Sequence, residues 1–187
     1  IRAENISKRF GDREVLKDIS ATFEPGQTNL IIGKSGSGKT VFMKCLVGLL
    51  DIDEGEIWYG DILFSKLDFK GKKEIRKNMG MLFQGSALYD SMTVEENVMF
   101  PLDMFTNMTY GEKLDRVNFC LDRVNIVNSN RLSPAELSGG MKKRVAIARA
   151  IVLKPHYLFC DEPNSGLDPK TSIVIDELIK EITKELN

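Results

Sequence analysis

Residues 33–40 read Gly33-Lys34-Ser35-Gly36-Ser37-Gly38-Lys39-Thr40 and satisfy the pattern G-x-x-x-x-G-K-[ST]. At ordinary residue frequencies, a chain of this length shows such a match by accident about once in a hundred cases. The surroundings sharpen the signal. The apolar run Gln27–Ile32 before the pattern reads as a short buried strand, and Thr40–Leu50 after it reads as a helix. Chemistry explains the residue types. Gly33, Gly36 and Gly38 let the backbone curl until its N–H groups face one anion, and the helix start adds partial positive charge. Lys34, Ser35 and Ser37 complete the cradle. Lys39 brings a point charge for the β- and γ-phosphates, and Thr40 a hydroxyl for Mg²⁺. The expected ligands are ATP and Mg²⁺.

Outward from this loop, short strands alternate with helices. Ile1–Phe10 and Val15–Phe23 read as strands joined at Gly11-Asp12, and Glu54–Phe64 as a hairpin. Asp68–Asn78 is charged and helical, and Met79–Phe83 is an apolar strand. From Ser86 to about Pro134 helical patterns dominate and no clear strand appears, and Gly111–Val127 shows Leu114, Val117, Leu121 and Val124 at helical spacing. Ser138–Leu153 reads as a helix, Tyr157–Cys160 as a buried strand and Pro169–Leu186 as a final helix. This order predicts an α/β fold with a mostly parallel sheet, an N-terminal antiparallel β part and an inserted helical subdomain. The predicted division is one domain over 1–187, with 1–85 and 138–187 as nucleotide-binding core and 86–137 as the helical subdomain.

The bulk properties exclude other classes. The 187 residues carry 26 basic and 27 acidic side chains, a net charge of -1. That balance argues against a protein whose main task is coating nucleic acid, so no nucleic-acid partner is expected. Cys45, Cys120 and Cys160 are far apart and show no CxxC spacing. They read as small core residues in a reducing cytosol rather than as zinc ligands, disulfides or nucleophiles. The longest apolar stretches, Val41–Leu50 and Val145–Leu153, are interrupted by Lys44 and Arg149 and are too short to span a bilayer. The chain opens at Ile1 inside a strand pattern, without a Met, which predicts that the true terminus lies upstream.

Two further elements carry chemistry. Tyr157-Leu158-Phe159-Cys160-Asp161-Glu162 is an apolar strand followed by two carboxylates. Asp161 can hold the hydration shell of Mg²⁺, and Glu162 can accept a proton from an attacking water. Taken alone, Glu162 also fits a solvated loop acid. Leu137-Ser138-Gly139-Gly140-Met141 opens a helix, with Ser138 23 residues before Asp161. Ser138 can cap it, and Gly139 and Gly140 expose its N–H groups as a second anion-binding start. One chain cannot easily bring both helix starts to one γ-phosphate, whereas two chains placed head-to-tail can. The competing reading is a simple capped helix.

With these elements in order, the sequence resembles the ABC ATPase family over essentially its whole length. The resemblance rests on 33–40, on Gln84 at the Q-loop position, on 137–141, on 157–162 and on Ser165-Gly166-Leu167-Asp168 as the D-loop. It implies a P-loop NTPase core that hydrolyses ATP to power transport through a separate integral-membrane permease. Lys39, Gln84 and Glu162 would be catalytic. Thr40, Gln84 and Asp161 would serve the metal, and Ser138, Gly139, Gly140 and Asp168 would touch nucleotide in a dimer with a second ATPase subunit. Phe10 lies where the family stacks an aromatic on adenine, though a core residue at a strand end competes with that role.

Two departures stand out. Met141 replaces the usual Gln, and the switch-loop His is absent, since the only histidine, His156, precedes the acidic strand. The C-terminal part of the domain is therefore expected to be missing.

Within the family, Met81–Leu102 resembles the ATPase of Mla-type lipid-asymmetry transporters. That likeness implies phospholipid or other apolar cargo, an MCE-type substrate-binding partner and a place on the cytoplasmic face of the inner membrane. The alternatives are the ATPase of a small-solute importer, or a soluble family member acting on ribosome or DNA. In segment 85–94, Leu88-Tyr89 is expected to expose an apolar patch that receives a short helix from the permease.

Overall fold

The computed structural model describes residues 1–185. Leu186, the expected last residue of the final helix, lies outside them. Contacts divide the chain into two compact units, the first being Ile1–Arg76 and the second beginning at Lys77.

The first unit is built on an antiparallel sheet. Strands β1 (Arg2–Phe10) and β2 (Arg13–Thr22) form a hairpin, β3 (Glu54–Tyr59) lies on the other side of β1, and β4 (Ile62–Leu63) closes the order β2-β1-β3-β4. Helix α1 (Lys39–Leu46) buries Phe42, Met43, Cys45 and Leu46, and Ala3, Ile6, Ile57, Tyr59 and Phe64 are buried in the same unit. Burying a large apolar side chain contributes roughly 1.5–3 kcal/mol. The Tyr59 hydroxyl keeps a partner in that core by donating to the Leu46 carbonyl at 3.0 Å. Helix α2 (Phe69–Arg76) buries none of its residues, as its charge predicts.

Two expectations fail in this unit. Helix α1 stops at Leu46, because the Gly48 and Leu49 amides turn back to the Cys45 and Lys44 carbonyls, which leaves Leu49 exposed. Gln27–Ile32 forms no strand among the described residues, and Leu30 and Ile32 are 78% and 84% exposed. A continuous apolar run of this kind needs ladder partners and cover on both faces. The run belongs to neither sheet and so has no ladder to hold it extended.

The second unit pairs β5 (Met79–Leu82) with β6 (Tyr157–Cys160) in parallel, from Met79 opposite Tyr157 to Leu82 opposite Cys160. Helices α3 (Val94–Phe105), α4 (Tyr110–Arg123), α5 (Gly139–Ile151) and α6 (Pro169–Glu185) complete it. One core joins them through Leu82, Val98, Leu121, Val145, Ile147 and Ile175. Thr93 with Glu96, and Thr109 with Glu112, form reciprocal capping boxes that start α3 and α4. Segment 86–137 holds α3, α4 and a 3₁₀ turn at Pro134–Glu136, with no strand among the described residues, as expected. Of the predicted helical stripe, Val117, Leu121 and Val124 are buried and Leu114 is partly so. Strand β6 is only partly buried rather than fully enclosed, because β5 is its one ladder neighbour among the described residues.

The cysteines behave as packing residues. Burial pushes the Cys45 and Cys120 thiols up to about 11 and that of Cys160 to about 12, so all three stay protonated near neutrality. No helix among the described residues is long and apolar enough to cross a membrane.

Candidate functional site

In the first unit, the loop at 33–40 is held by its own backbone and by one side chain. Lys39 Nζ donates to the Gly33 and Lys34 carbonyls at 2.9 and 3.0 Å, and the Ser37 amide donates to Lys34 O at 3.2 Å. The lysine thus lies inside the ring of backbone that its loop makes. Gly38 caps α1 at φ 96°, ψ 4°. A Cβ there would stand 3.0 Å from Leu16 Cδ2 and 3.1 Å from the Val15 carbonyl, so both torsion and space require glycine. Gly38 offers no side chain to cap α1, and a helix start of this kind suits an anion. Lys34, Ser35, Gly36 and Ser37 are exposed, and Lys39 and Thr40 half-buried. Phe10 ends β1 at 47% exposure, with Lys8 Nζ 5.7 Å from its ring centroid. A half-exposed ring keeps a face for stacking.

In the second unit, parallel pairing of β5 and β6 brings their carboxyl ends together. The ladder runs one bond past the strands, with Asp161 N donating to Leu82 O at 2.9 Å. Gln84, two residues beyond β5, thereby meets the acidic pair, and its Nε2 donates to Glu162 Oε2 at 2.9 Å. Asp161 is buried. Glu162 takes a left-handed φ of 47°, an uncommon conformation for a residue with a Cβ. Its carbonyl accepts from Ser165 N at 3.0 Å and from Lys143 Nζ at 3.4 Å. His156 precedes β6 and lies the whole strand away from the acids, about 16 Å from Asp161 at five residue steps, so it takes no part.

Ser138 caps α5 by accepting from Met141 N at 3.2 Å. Gly140 faces α6, where a Cβ would stand 2.8 Å from Thr171 Cγ2. Its lack of a side chain is therefore a packing requirement as well as an opening to the helix N–H groups. Gly139 lies beside Leu167, a built Cβ standing 3.8 Å from Leu167 Cδ2. The 138–140 and 165–168 segments are thus neighbours. Asp168 caps α6: its carboxylate accepts from Lys170 N, Thr171 N and Thr171 Oγ1 at 3.0, 3.1 and 2.5 Å. The Thr171 hydroxyl first, then the backbone amides, hold its carboxyl below the usual range. Met141 packs against the core.

The sequence reading missed Lys143, Asn97 and Arg149. Asn97 is fully buried and stitches the loop after Gln84. Its Nδ2 donates to the Tyr89, Met92 and Thr93 carbonyls at 3.1, 3.1 and 3.0 Å, and its Oδ1 accepts from Tyr89 N at 2.8 Å. Arg149 donates to the Ala87 and Ser86 carbonyls at 2.8 and 2.9 Å. Within the expected apolar patch, Leu88 packs on the core, whereas Tyr89 is 45% exposed with its ring 5.0 Å from that of Phe100. A polar residue inside an apolar helical stripe, as at Asn97, was the available signal.

For a metal, no cluster of three His, Cys, Asp or Glu side chains occurs among the described residues. The expected donors are instead a hydroxyl, an amide oxygen and a carboxylate. These are hard oxygen ligands of the kind Mg²⁺ accepts while keeping most of its waters, so the donor set fits.

A family model described as "ABC transporter" matches residues 16–165. The methionine import ATP-binding protein MetN of Clostridioides difficile is 40% identical over 186 residues, which are 100% of this chain and 58% of that protein. The phosphonates import ATP-binding protein PhnC of Fusobacterium nucleatum is 37% identical over 194 residues, 100% of this chain and 78% of that one. A dimeric ATP-binding cassette, MJ0796, in a post-hydrolysis state bound to ADP and Pi, superposes with a TM-score of 0.89 at 31% identity. That match covers 98% of this chain and 83% of the other. This chain thus spans little more than half the length of the methionine relative.

Proposed function

This chain belongs to the ABC transporter family, whose cassettes bind ATP with Mg²⁺ and hydrolyse it to drive transport, and from that premise we propose that it is the energising subunit of a membrane transporter acting through a separate permease. The observation that carries the reading is Gln84 Nε2 bonded to Glu162 Oε2 at 2.9 Å, beside Asp161 and at the carboxyl ends of two parallel strands.

The roles follow from the chemistry. Loop 33–40 and Lys39 bind the β- and γ-phosphates, Ser138, Gly139, Gly140 and Asp168 contact nucleotide in a dimer with a second copy, and Phe10 stacks on adenine. Glu162 takes the proton of a water whose oxygen bonds to the γ-phosphorus. The bond from that phosphorus to the bridging oxygen breaks, and ADP and phosphate leave. When bound, Mg²⁺ neutralises phosphate charge; Thr40, Gln84 and Asp161 would serve it. Gln84 reports the reaction to 86–137, the segment we take as the moving subdomain of a core formed by 1–85 and 138–187. The working place is the cytoplasmic face of the membrane.

The cargo has two readings. Likeness to methionine and phosphonate import proteins favours a small polar solute. The stretch Met81–Leu102, together with Met141, which Mla-type ATPases often share, favours phospholipid or another apolar molecule, with an MCE-type binding partner. Transport assays with the intact complex separate them: solute uptake supports the first, and transfer of labelled phospholipid between membranes the second.

The docking segment is tested through Tyr89, since Leu88 belongs to the core. Tyr89→Asp is expected to leave Mg-ATP binding unchanged and to abolish co-purification with the permease. Normal co-purification and transport by that variant would remove segment 85–94 from the coupling path.

A further inference from the structure

Lys143 lies on α5 and is 3% exposed, although an ammonium is among the costliest groups to bury. Its surroundings explain how it is tolerated. Nζ donates to the Glu162 carbonyl at 3.4 Å, and the charges facing it belong to Asp161 and Glu162, with the Cys160 thiol alongside. Burial pulls its pKa below the ordinary lysine value, and those neighbours oppose the pull. An apolar side chain of similar length would fill the same space without the desolvation cost.

Glu162 supplies the counterpart. Its left-handed φ of 47° is sparsely populated for a residue with a Cβ and must be held by its surroundings. That rotation turns its carbonyl toward Lys143 Nζ and Ser165 N while the carboxylate meets Gln84 Nε2 at 2.9 Å. Two separate segments and its own local turn therefore fix one residue.

We propose that Lys143 is a positioning residue for the hydrolytic site: its ammonium holds the left-handed turn at Glu162 from behind and so aims the carboxylate at the attacking water. This rests on Glu162 being the proton acceptor. The role lies in orientation, so it should show in turnover and leave ground-state nucleotide binding intact.

The test uses the intact protein, steady-state Mg-ATPase and binding of a fluorescent ATP analogue. Glu162→Gln is the control for the acceptor, with turnover expected to fall by about a hundredfold or more. Lys143→Met keeps the stem and removes the donor. It should lower kcat by about tenfold while KM and analogue affinity stay within about twofold. Lys143→Gln keeps an N–H donor one bond shorter, and its kcat should fall by only about threefold. Parent-like turnover of Lys143→Met beside an inactive Glu162→Gln overturns the proposal. So does a loss of turnover matched by an equal loss of affinity, which marks general damage. If Lys143→Met fails to fold, Lys143→Gln decides alone: reduced kcat at unchanged KM supports the role, and parent-like kcat overturns it. Turnover surviving in Glu162→Gln removes the acceptor assignment and this inference with it, a failure distinct from the others.

Discussion

The phosphate loop and the acidic turn reach their geometry by opposite routes. Loop 33–40 is eight consecutive residues whose shape comes from glycine torsions and from Lys39 bonded to the Gly33 and Lys34 carbonyls a few positions away. The acidic turn is assembled at long range. Gln84 reaches Glu162 across 78 positions and Lys143 across 19, and the Asp161 amide is fixed by Leu82 of another strand. A locally closed loop depends on few other residues. An assembled turn depends on the packing of β5, α5 and β6, and is more easily misaligned without being unfolded.

The largest expected effects separate the two directly. Glu162→Gln keeps the shape of the turn, so Mg-ATP binding should stay within about twofold while turnover drops by two to four orders of magnitude, as for loss of a general base. Lys39→Ala should instead weaken Mg-ATP binding by about tenfold or more, since each charge-assisted contact contributes roughly 1.5–3 kcal/mol. Nucleotide titration and steady-state turnover on both variants check this. Equal losses of affinity would dissolve the distinction.

An intermediate effect concerns the close approach of α5 and α6. Gly140→Ala puts a Cβ 2.8 Å from Thr171 Cγ2, and overpacking of this kind costs about 1–3 kcal/mol, partly offset by the helix preference of alanine. Thr171→Ser removes that methyl and keeps the hydroxyl bonded to Asp168. Denaturant unfolding should show Gly140→Ala destabilised and the double variant restored. A double variant as unstable as the single one would place the cause elsewhere.

The smallest effect tests a local device inside the assembled unit. Glu112 Oε2 accepts from Thr109 N and Oγ1 at 2.7 and 2.8 Å, and these bonds, the backbone one first, lower its pKa from 4.5. A carboxylate whose folded pKa is depressed contributes stability that is present above its unfolded pKa and is lost as pH falls through the folded one. Glu112→Gln should therefore flatten part of the fall in Tm below about pH 4.5. The contribution is small because the group is fully exposed, and an unchanged acid slope would leave the box without this role.

How legible each part was follows the same division. Ser138 before two glycines read correctly as a helix cap, because it states its hydrogen-bond partner within a few residues. The boxes at Thr93 and Thr109 are just as local, yet the sequence reading passed over them. The helical stripe at Val117, Leu121 and Val124 read correctly because periodicity reports a buried face directly. Gln27–Ile32 did not. Its apolar run announced burial, but the ladder that would hold such a strand is a property of other segments, and here Leu30 and Ile32 are exposed. Asp168 was read for its place in a motif, and the structure adds that its carboxylate caps α6.

By itself the sequence determined the glycine–lysine pattern at 33–40, the start of α5 and the order of elements that marks the family. All of these depend on torsions and hydrogen bonds that close within one or two turns of chain. Only the tertiary structure decided that Gln84 meets Glu162, that Gly140 makes room for Thr171, and that Lys143 is buried behind the acidic turn. In a linear reading Lys143 is one more charge in Met141-Lys142-Lys143-Arg144. Its meaning depends on the face of α5 it occupies and on what packs there, because the free energy of a charge is set by the dielectric and the partners around it, which the fold brings together from residues distant in the chain.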